Sequence, residues 1–247
     1  MDKSKYNMSE YDCSIIKKNM TEALSISQKL SVVFEDIEDY ESYDSVQRVI
    51  KCCYNVMSSI INIDELIKMD SYYPQRVNLS RIIEDIVSAC RSKLRHCGVK
   101  ILCDCGENII AMTDADRFVS ALMNLIINSV QNTERGNGEV KIKVIVLGEN
   151  ISVSVSDNGY GLDRDEIAEC IESDEACGLK VVSEFCKAAG TKLFTDVSAD
   201  GGLLVSFRLP AASEGEIILK SPKAFISTGS LSAVSIYLSK IEDSVID

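Results

Sequence analysis

The first quarter of the chain is written in steps of three and four. Cys13, Ile16, Met20, Ala23, Ser27, Leu30, Phe34 and Ile37 follow one another at that spacing, with Ser27 the one break in the apolar stripe. Such recurrence places a row of side chains on one face of an α-helix. Residues 1 to about 10 precede it as a loose end. The polar run 38–45 reads as a turn, with Asp44 or Ser45 capping a second helix. In that helix Val46, Ile50, Cys53, Met57, Ile60, Ile63 and Ile67 repeat the stripe. Two heptad-patterned helices joined by a short loop make an antiparallel hairpin. One hairpin cannot bury both stripes. Pairing two hairpins into a four-helix bundle does, so a homodimer is expected; the alternative is a hairpin packed on the rest of its own chain.

After Tyr72-Tyr73-Pro74 the pattern changes, because proline disfavours helix at the residue before it. Residues 77–79 read as extended. Ser80 then caps a helix to about Cys97 whose apolar face is Ile82, Ile83, Ile86, Val87, Ala89, Cys90 and Leu94. Strands are expected at 99–103, 109–112, 140–147, 151–156, 192–197 and 203–209. Helices are expected from Asp114 or Asp116 to about Asn132, over 164–171, and over 179–189 with Gly190 as its stop. Asp200-Gly201-Gly202 marks a hairpin turn. The tail, 211–247, carries a candidate strand at 216–220 and a candidate helix at 230–241, with Leu231, Val234, Tyr237 and Leu238 on one face. The fold class is therefore α+β: a helical hairpin over 1–72, an α/β sandwich over 76–210, and a C-terminal extension over 211–247.

Composition narrows the function. Lys and Arg number 26 against 38 Asp and Glu, for a net charge of −12. No clustered basic face emerges, which argues against a nucleic-acid partner. No apolar run approaches the ~20 residues that span a bilayer, and the polar start does not read as a secretion signal. The ten cysteines therefore read as reduced thiols of a cytoplasmic protein. Cys103 and Cys105 alternate on one strand face, but two thiolates without a second pair or a histidine fall short of a zinc site.

Three pieces between 114 and 210 carry candidate chemistry. Asn124 and Asn128 lie one turn apart on an otherwise apolar helix, where asparagine competes poorly for helix interior. They read either as ligand-binding amides or as one core amide and one solvent-facing one. Asp157-Asn158-Gly159-Tyr160-Gly161 follows an alternating strand. Its glycines allow positive φ or close approach of a ligand, and its carboxylate can accept from an amine; an ordinary tight turn has the same letters. Gly178-Leu179-Lys180-Val181-Val182 opens a helix.

In this order the three pieces resemble the ATP-binding domain of sensor histidine kinases, related to gyrase, Hsp90 and MutL. Asp116-Arg117-Phe118 and the ending 201–210 add to the likeness, and the helices upstream resemble the family's dimerisation hairpin. The resemblance implies ATP and Mg²⁺ as ligands. Asn128 would be the metal ligand, Asp157 would bind the adenine amine, Gly159 and Gly161 would lie beside the base, and Asn124 would stand one turn before the metal ligand. Gly178 would close the phosphate loop, where a helix N-terminus holds anionic oxygens.

The departures shape the expected function. Lys18 occupies the phosphoacceptor position, and a lysine ammonium is no nucleophile at neutral pH. The single histidine of the sequence, His96, lies on the helix after the linker. Asp174 and Glu175 put negative charge where a triphosphate would lie, Gln131 replaces a phosphate-reaching lysine, and the lid is short. These features argue against nucleotide binding. Together they imply a histidine-kinase-like two-component signalling protein that does not autophosphorylate, a pseudokinase or adaptor docking a response-regulator receiver domain or another kinase. The alternative is a divergent kinase or ATPase binding Mg-ATP through Asn128 and Asp157 and acting in trans.

Overall fold

Ser9 opens the first helix with a capping box. Its hydroxyl accepts from the Asp12 amide at 3.2 Å, and the Asp12 carboxylate accepts from the Ser9 amide at 2.8 Å. The computed structural model describes residues 8–133, 136–172, 176–212 and 236–239, apart from the side chains of 92, 93 and 96. Helix α1 (Glu10–Asp36) is followed by α2 (Tyr40–Lys68). The turn between them is shorter than the polar run suggests. Glu38 takes a left-handed φ of 57° and Asp39 caps α2, accepting from the Ser42 amide at 3.1 Å. Asp44 and Ser45 are thus inside the helix, and the Ser45 hydroxyl donates back to the Glu41 carbonyl at 2.9 Å.

A 3₁₀ turn (Met69–Ser71) leads into β1 (Gln75–Asn78), α3 (Leu79–Cys97), β2 (Val99–Cys105) and β3 (Ile110–Thr113). Asn78, not Ser80, caps α3, accepting from the Arg81 amide at 3.1 Å. The Ser80 hydroxyl is spent on the β2–β3 loop, donating to the Gly106 carbonyl at 2.6 Å and accepting from the Ile109 amide at 3.0 Å. The chain continues through α4 (Ala115–Asn132), β4 (Gly138–Leu147), β5 (Asn150–Asp157), α5 (Arg164–Glu172), α6 (Gly178–Ala188), β6 (Phe194–Val197) and β7 (Leu203–Pro210).

Five strands form one sheet in the order β2-β4-β5-β7-β6. β2 and β4 run parallel and the other neighbours antiparallel, while β1 and β3 pair separately. Period-two alternation sends Ile151, Val153, Val155 and Asp157 of β5 to the buried face. There they meet α4, buried from Phe118 through Ile127. Edge-to-face rings lock the layer: Phe185 of α6 lies 5.4 Å from Phe207 of β7 and 6.1 Å from Tyr72. This is the α+β architecture that the patterning predicts.

The hairpin does not stand apart from this sandwich. The C-terminal half of α2 is buried with a polar set, Ser58, Asn62, Asp64 and Glu65, among Ile60, Ile61 and Leu66. Lys17 and Lys68 both bond the Asp64 carboxylate, the latter at 2.7 Å. Burial alone pushes Asp64 upward, but those two ammonium donors outweigh it and hold the acid below its ordinary value. Of the tail, the candidate strand at 216–220 lies outside the described residues. The candidate helix is described at 236–239, where the backbone is helical and the side chains are buried.

Candidate nucleotide site

Asp157 ends β5 on the buried face, 4% exposed. Its Oδ1 accepts from the Gly159 amide at 3.0 Å and the Leu203 amide at 3.1 Å. With both bonds on one oxygen, Oδ2 is left to accept from an amine in the adjoining cavity. That cavity measures about 240 Å³, and its walls include Leu125, Asn128, Asp157, Leu162, Gly178 and Leu203. Clefts for drug-sized ligands run ~300–1,000 Å³. The space suits a flat heterocycle better than a whole nucleoside triphosphate.

The two turn glycines are there for different reasons. Gly161 has φ +71°, the left-handed region that glycine enters without strain. Gly159 does not have positive φ; it is glycine for space. A Cβ there would sit 2.1 Å from the Asn132 carbonyl oxygen, which accepts from the Tyr160 amide at 3.1 Å. Asn158 holds the turn from outside, accepting from the Glu139 amide at 2.7 Å and donating to the Asn137 carbonyl at 2.8 Å.

Gly178 begins α6 and closes the far wall. A Cβ on it would lie 2.8 Å from Asn124 Oδ1 and 3.0 Å from both amide atoms of Asn128. Glycine here lets the helix start press against both asparagines. Cys177 caps α6, its sulfur accepting from the Lys180 amide at 3.4 Å while its thiol donates to the Cys170 carbonyl at 2.9 Å. Burial, then the neighbouring Cys177, raises the Cys170 thiol above its usual range, so it stays protonated at neutral pH. The start of α6, at Gly178 and Leu179, thus lines the cavity beside two thiols, Cys170 and Cys177, with no cation among the lining residues.

The sequence-predicted residues do not all arrive at one surface. Asn128, Asp157 and Gly178 line the cavity together. Gly159 and Gly161 shape its rim. Asn124 is buried behind it, and its Nδ2 donates to the Ser120 carbonyl at 3.0 Å and the Tyr237 hydroxyl at 3.2 Å. Lys18 is exposed on α1, and Gln131 is exposed on α4 outside the cavity wall. Asp174, Glu175 and the His96 side chain lie outside the described residues. Sequence reasoning missed Asn62, which reads as one more polar position on α2. It is 3% exposed and donates to the carbonyl of Ala176, two residues before Gly178, at 3.1 Å. Asn62 lies outside the apolar stripe read from the spacing, so the sequence carried no signal for it.

Comparison with known proteins agrees with this geometry. Residues 113–213 match the histidine kinase-, DNA gyrase B- and HSP90-like ATPase family. Sporulation kinase B of Bacillus subtilis is 22% identical over 184 residues, spanning 72% of this chain and 43% of the relative. Hybrid signal transduction histidine kinase F of Dictyostelium discoideum is 29% identical over 131 residues, spanning 52% and 11%. The chain therefore spans less than half the length of these curated relatives. In fold, it resembles the catalytic domain of histidine kinase ThkA (TM-score 0.52, 21% identity, 57% of this chain and 99% of that one). It also resembles full-length ShkA solved with AMPPNP (TM-score 0.56, 17% identity, 82% and 48%). The matched segment and the shared fold show that residues 113–213 carry a domain of the histidine kinase-, DNA gyrase B- and HSP90-like ATPase type.

Proposed function

We propose that the chain is a two-component signalling protein that does not phosphorylate its own hairpin and works as an adaptor, docking a response-regulator receiver domain or another kinase. The observation that carries this reading is Lys18. At the acceptor position of the family's hairpin the chain presents an exposed ammonium, and its single histidine belongs to α3. Beside it Lys17 is tied to Asp64, so that side chain is already engaged in an ion pair. The hairpin's free end leaves Ile26, Leu30, Val33 and Ile37 of α1 and Val49 of α2 40–65% exposed, a surface that a second copy would cover in a four-helix bundle.

A second reading rests on the cavity. Asp157 Oδ2, the Asn128 amide and the α6 N-terminus fit an adenine nucleotide, with Asn128 the residue to hold its Mg²⁺. Bound Mg-ATP would supply a transferable phosphoryl group; the chain's residues would orient the base and exclude water. Incubation of the purified protein with radiolabelled Mg-ATP separates the two. The adaptor reading expects no phosphate retained on the chain, and stable label on it would overturn that reading. Label passed to an added receiver domain would favour action in trans.

A further inference from the structure

Tyr237 is the largest side chain among the fully buried ones, 1% exposed, and it comes from the tail that the family likeness does not cover. Its hydroxyl sits at the meeting point of three side chains from two elements. It donates to Asn62 Oδ1 of α2 at 3.0 Å and accepts from Asn124 Nδ2 of α4 at 3.2 Å. A phenol has one proton to give, so the Ser120 hydroxyl, 3.3 Å away on α4, is the donor in the third bond. Every hydrogen-bonding capacity of this oxygen is filled. Flanking Ile236 and Leu238 are each 3% exposed.

We infer that residues 236–239 are a latch: the Tyr237 hydroxyl clamps the hairpin to the ATPase sandwich and withholds Asn124 from the nucleotide cavity. Two consequences of the geometry carry this. First, Asn62 is shared. Its Oδ1 accepts from the tail and its Nδ2 donates to the Ala176 carbonyl at the edge of the lid, so the tail, α2 and the start of α6 are joined through one amide. Second, both protons of the Asn124 amide are committed, one to Ser120 and one to Tyr237, while its Oδ1 is pressed against Gly178. With Tyr237 seated, Asn128 is the amide of the pair that reaches the cavity. Unseating it would leave Asn62 Oδ1, one N–H of Asn124 and the Ser120 hydroxyl unpaired, which admits water between α2 and α4.

The first half of this inference stands apart from nucleotide binding, and hydrogen exchange of the full chain tests it. Tyr237→Phe keeps the ring and removes the clamp. It should speed amide exchange in 58–66 and 117–125 by at least about tenfold, since all three hydrogen bonds of the hydroxyl are lost, while the strands β4 and β5 keep their protection. Val153→Ala, a buried sheet position, serves as the control for general loosening. Unchanged exchange in 58–66, or a rise no greater than the control's, would overturn the latch. Mg-ATP titration of both proteins keeps the two ideas separate. Local loosening in a protein that binds no nucleotide would remove the cavity reading and leave the latch in place.

Discussion

Gly159→Ala isolates the close approach on which the turn after β5 depends. The new methyl would sit 2.1 Å from the Asn132 carbonyl oxygen and 2.6 Å from its carbon, both backbone atoms that cannot rotate away. The β5–α5 turn must therefore lift off the end of α4, and the Tyr160 amide loses its 3.1 Å bond to the same carbonyl. Overpacking of this kind costs ~1–3 kcal/mol and the lost bond ~1, giving about 2–4 kcal/mol together. Gly161→Ala is the matched contrast. Its φ of +71° strains any side chain, but the nearest atom to a new Cβ is 3.6 Å away. That cost is the left-handed penalty alone, ~1 kcal/mol. Urea titration followed by circular dichroism, compared at unchanged m, measures both. Destabilisation of Gly159→Ala within about 0.5 kcal/mol of Gly161→Ala would refute the steric argument, since the two differ by more than that in this geometry.

Three further outcomes follow from other parts of the molecule. Asp157→Asn keeps an acceptor for the Gly159 and Leu203 amides but turns an NH₂ toward the cavity. A charge-assisted bond to a base amine becomes a donor facing a donor, and calorimetry should show Mg-ATP affinity fall at least about tenfold; equal affinity would show that the carboxylate does not read the base. The proposed four-helix dimer predicts that Ile26→Glu, at a 53% exposed apolar position on α1, shifts the mass seen by light scattering from dimer to monomer with the helical signal unchanged; a monomeric parent would overturn the dimer, and a persisting dimer would place the interface elsewhere. Asp64 has its folded pKa held down by Lys17 and Lys68, so its stabilisation is complete above the unfolded value of ~3.9 and is lost as pH falls through the folded value. The stability gap between parent and Asp64→Asn should therefore be widest near neutral pH and close below about pH 4, and a gap that widens in acid would reverse the sign assigned here.

Much of this was legible from periodicity. The heptad stripes located α1 and α2, and alternation in 151–156 fixed which face of β5 is buried and hence that Asp157 points inward. The order of the asparagines, the turn and Gly178 identified the cavity's walls. Local polar chemistry misled at two helix starts. Asp44, Ser45 and Ser80 are good caps by type, but Asp39 and Asn78 come first in the chain and already occupy the amides. What periodicity cannot carry is contact between residues far apart. The pairing of Asn62 with Tyr237 spans 175 positions, and nothing in either neighbourhood marks it. Asn124 and Asn128 share one helix face, as their spacing requires. Their different surroundings come from Tyr237 and Gly178, which the helix itself does not specify.

Beside the apolar contacts by which Ile61, Leu66 and Met69 join the sandwich core, directional polar contacts fasten the joint between hairpin and sandwich. Arg117 donates to the Glu65 carboxylate at 2.7 Å, Tyr72 and Thr113 share a hydroxyl contact at 3.2 Å, and the Tyr73 amide donates to Asp114 at 3.1 Å. Burial raises Glu65 above the ordinary carboxylate range, with Arg117 and, to a lesser degree, Lys68 working against it. An apolar seam of the same area would hold the two parts at many nearly equivalent angles and would be costly to open. Polar pairs are satisfied at one angle, and water can replace each of them when they part. The letters 114–118 show the division of labour. Asp114 caps α4 and holds the linker, Arg117 reaches α2, and Phe118 fills the core against Phe185 and Phe207. A five-residue helix start thus ties the hairpin and the linker to the sandwich. The seated tyrosine reinforces that tie on the same face of α4, through Ser120 and Asn124.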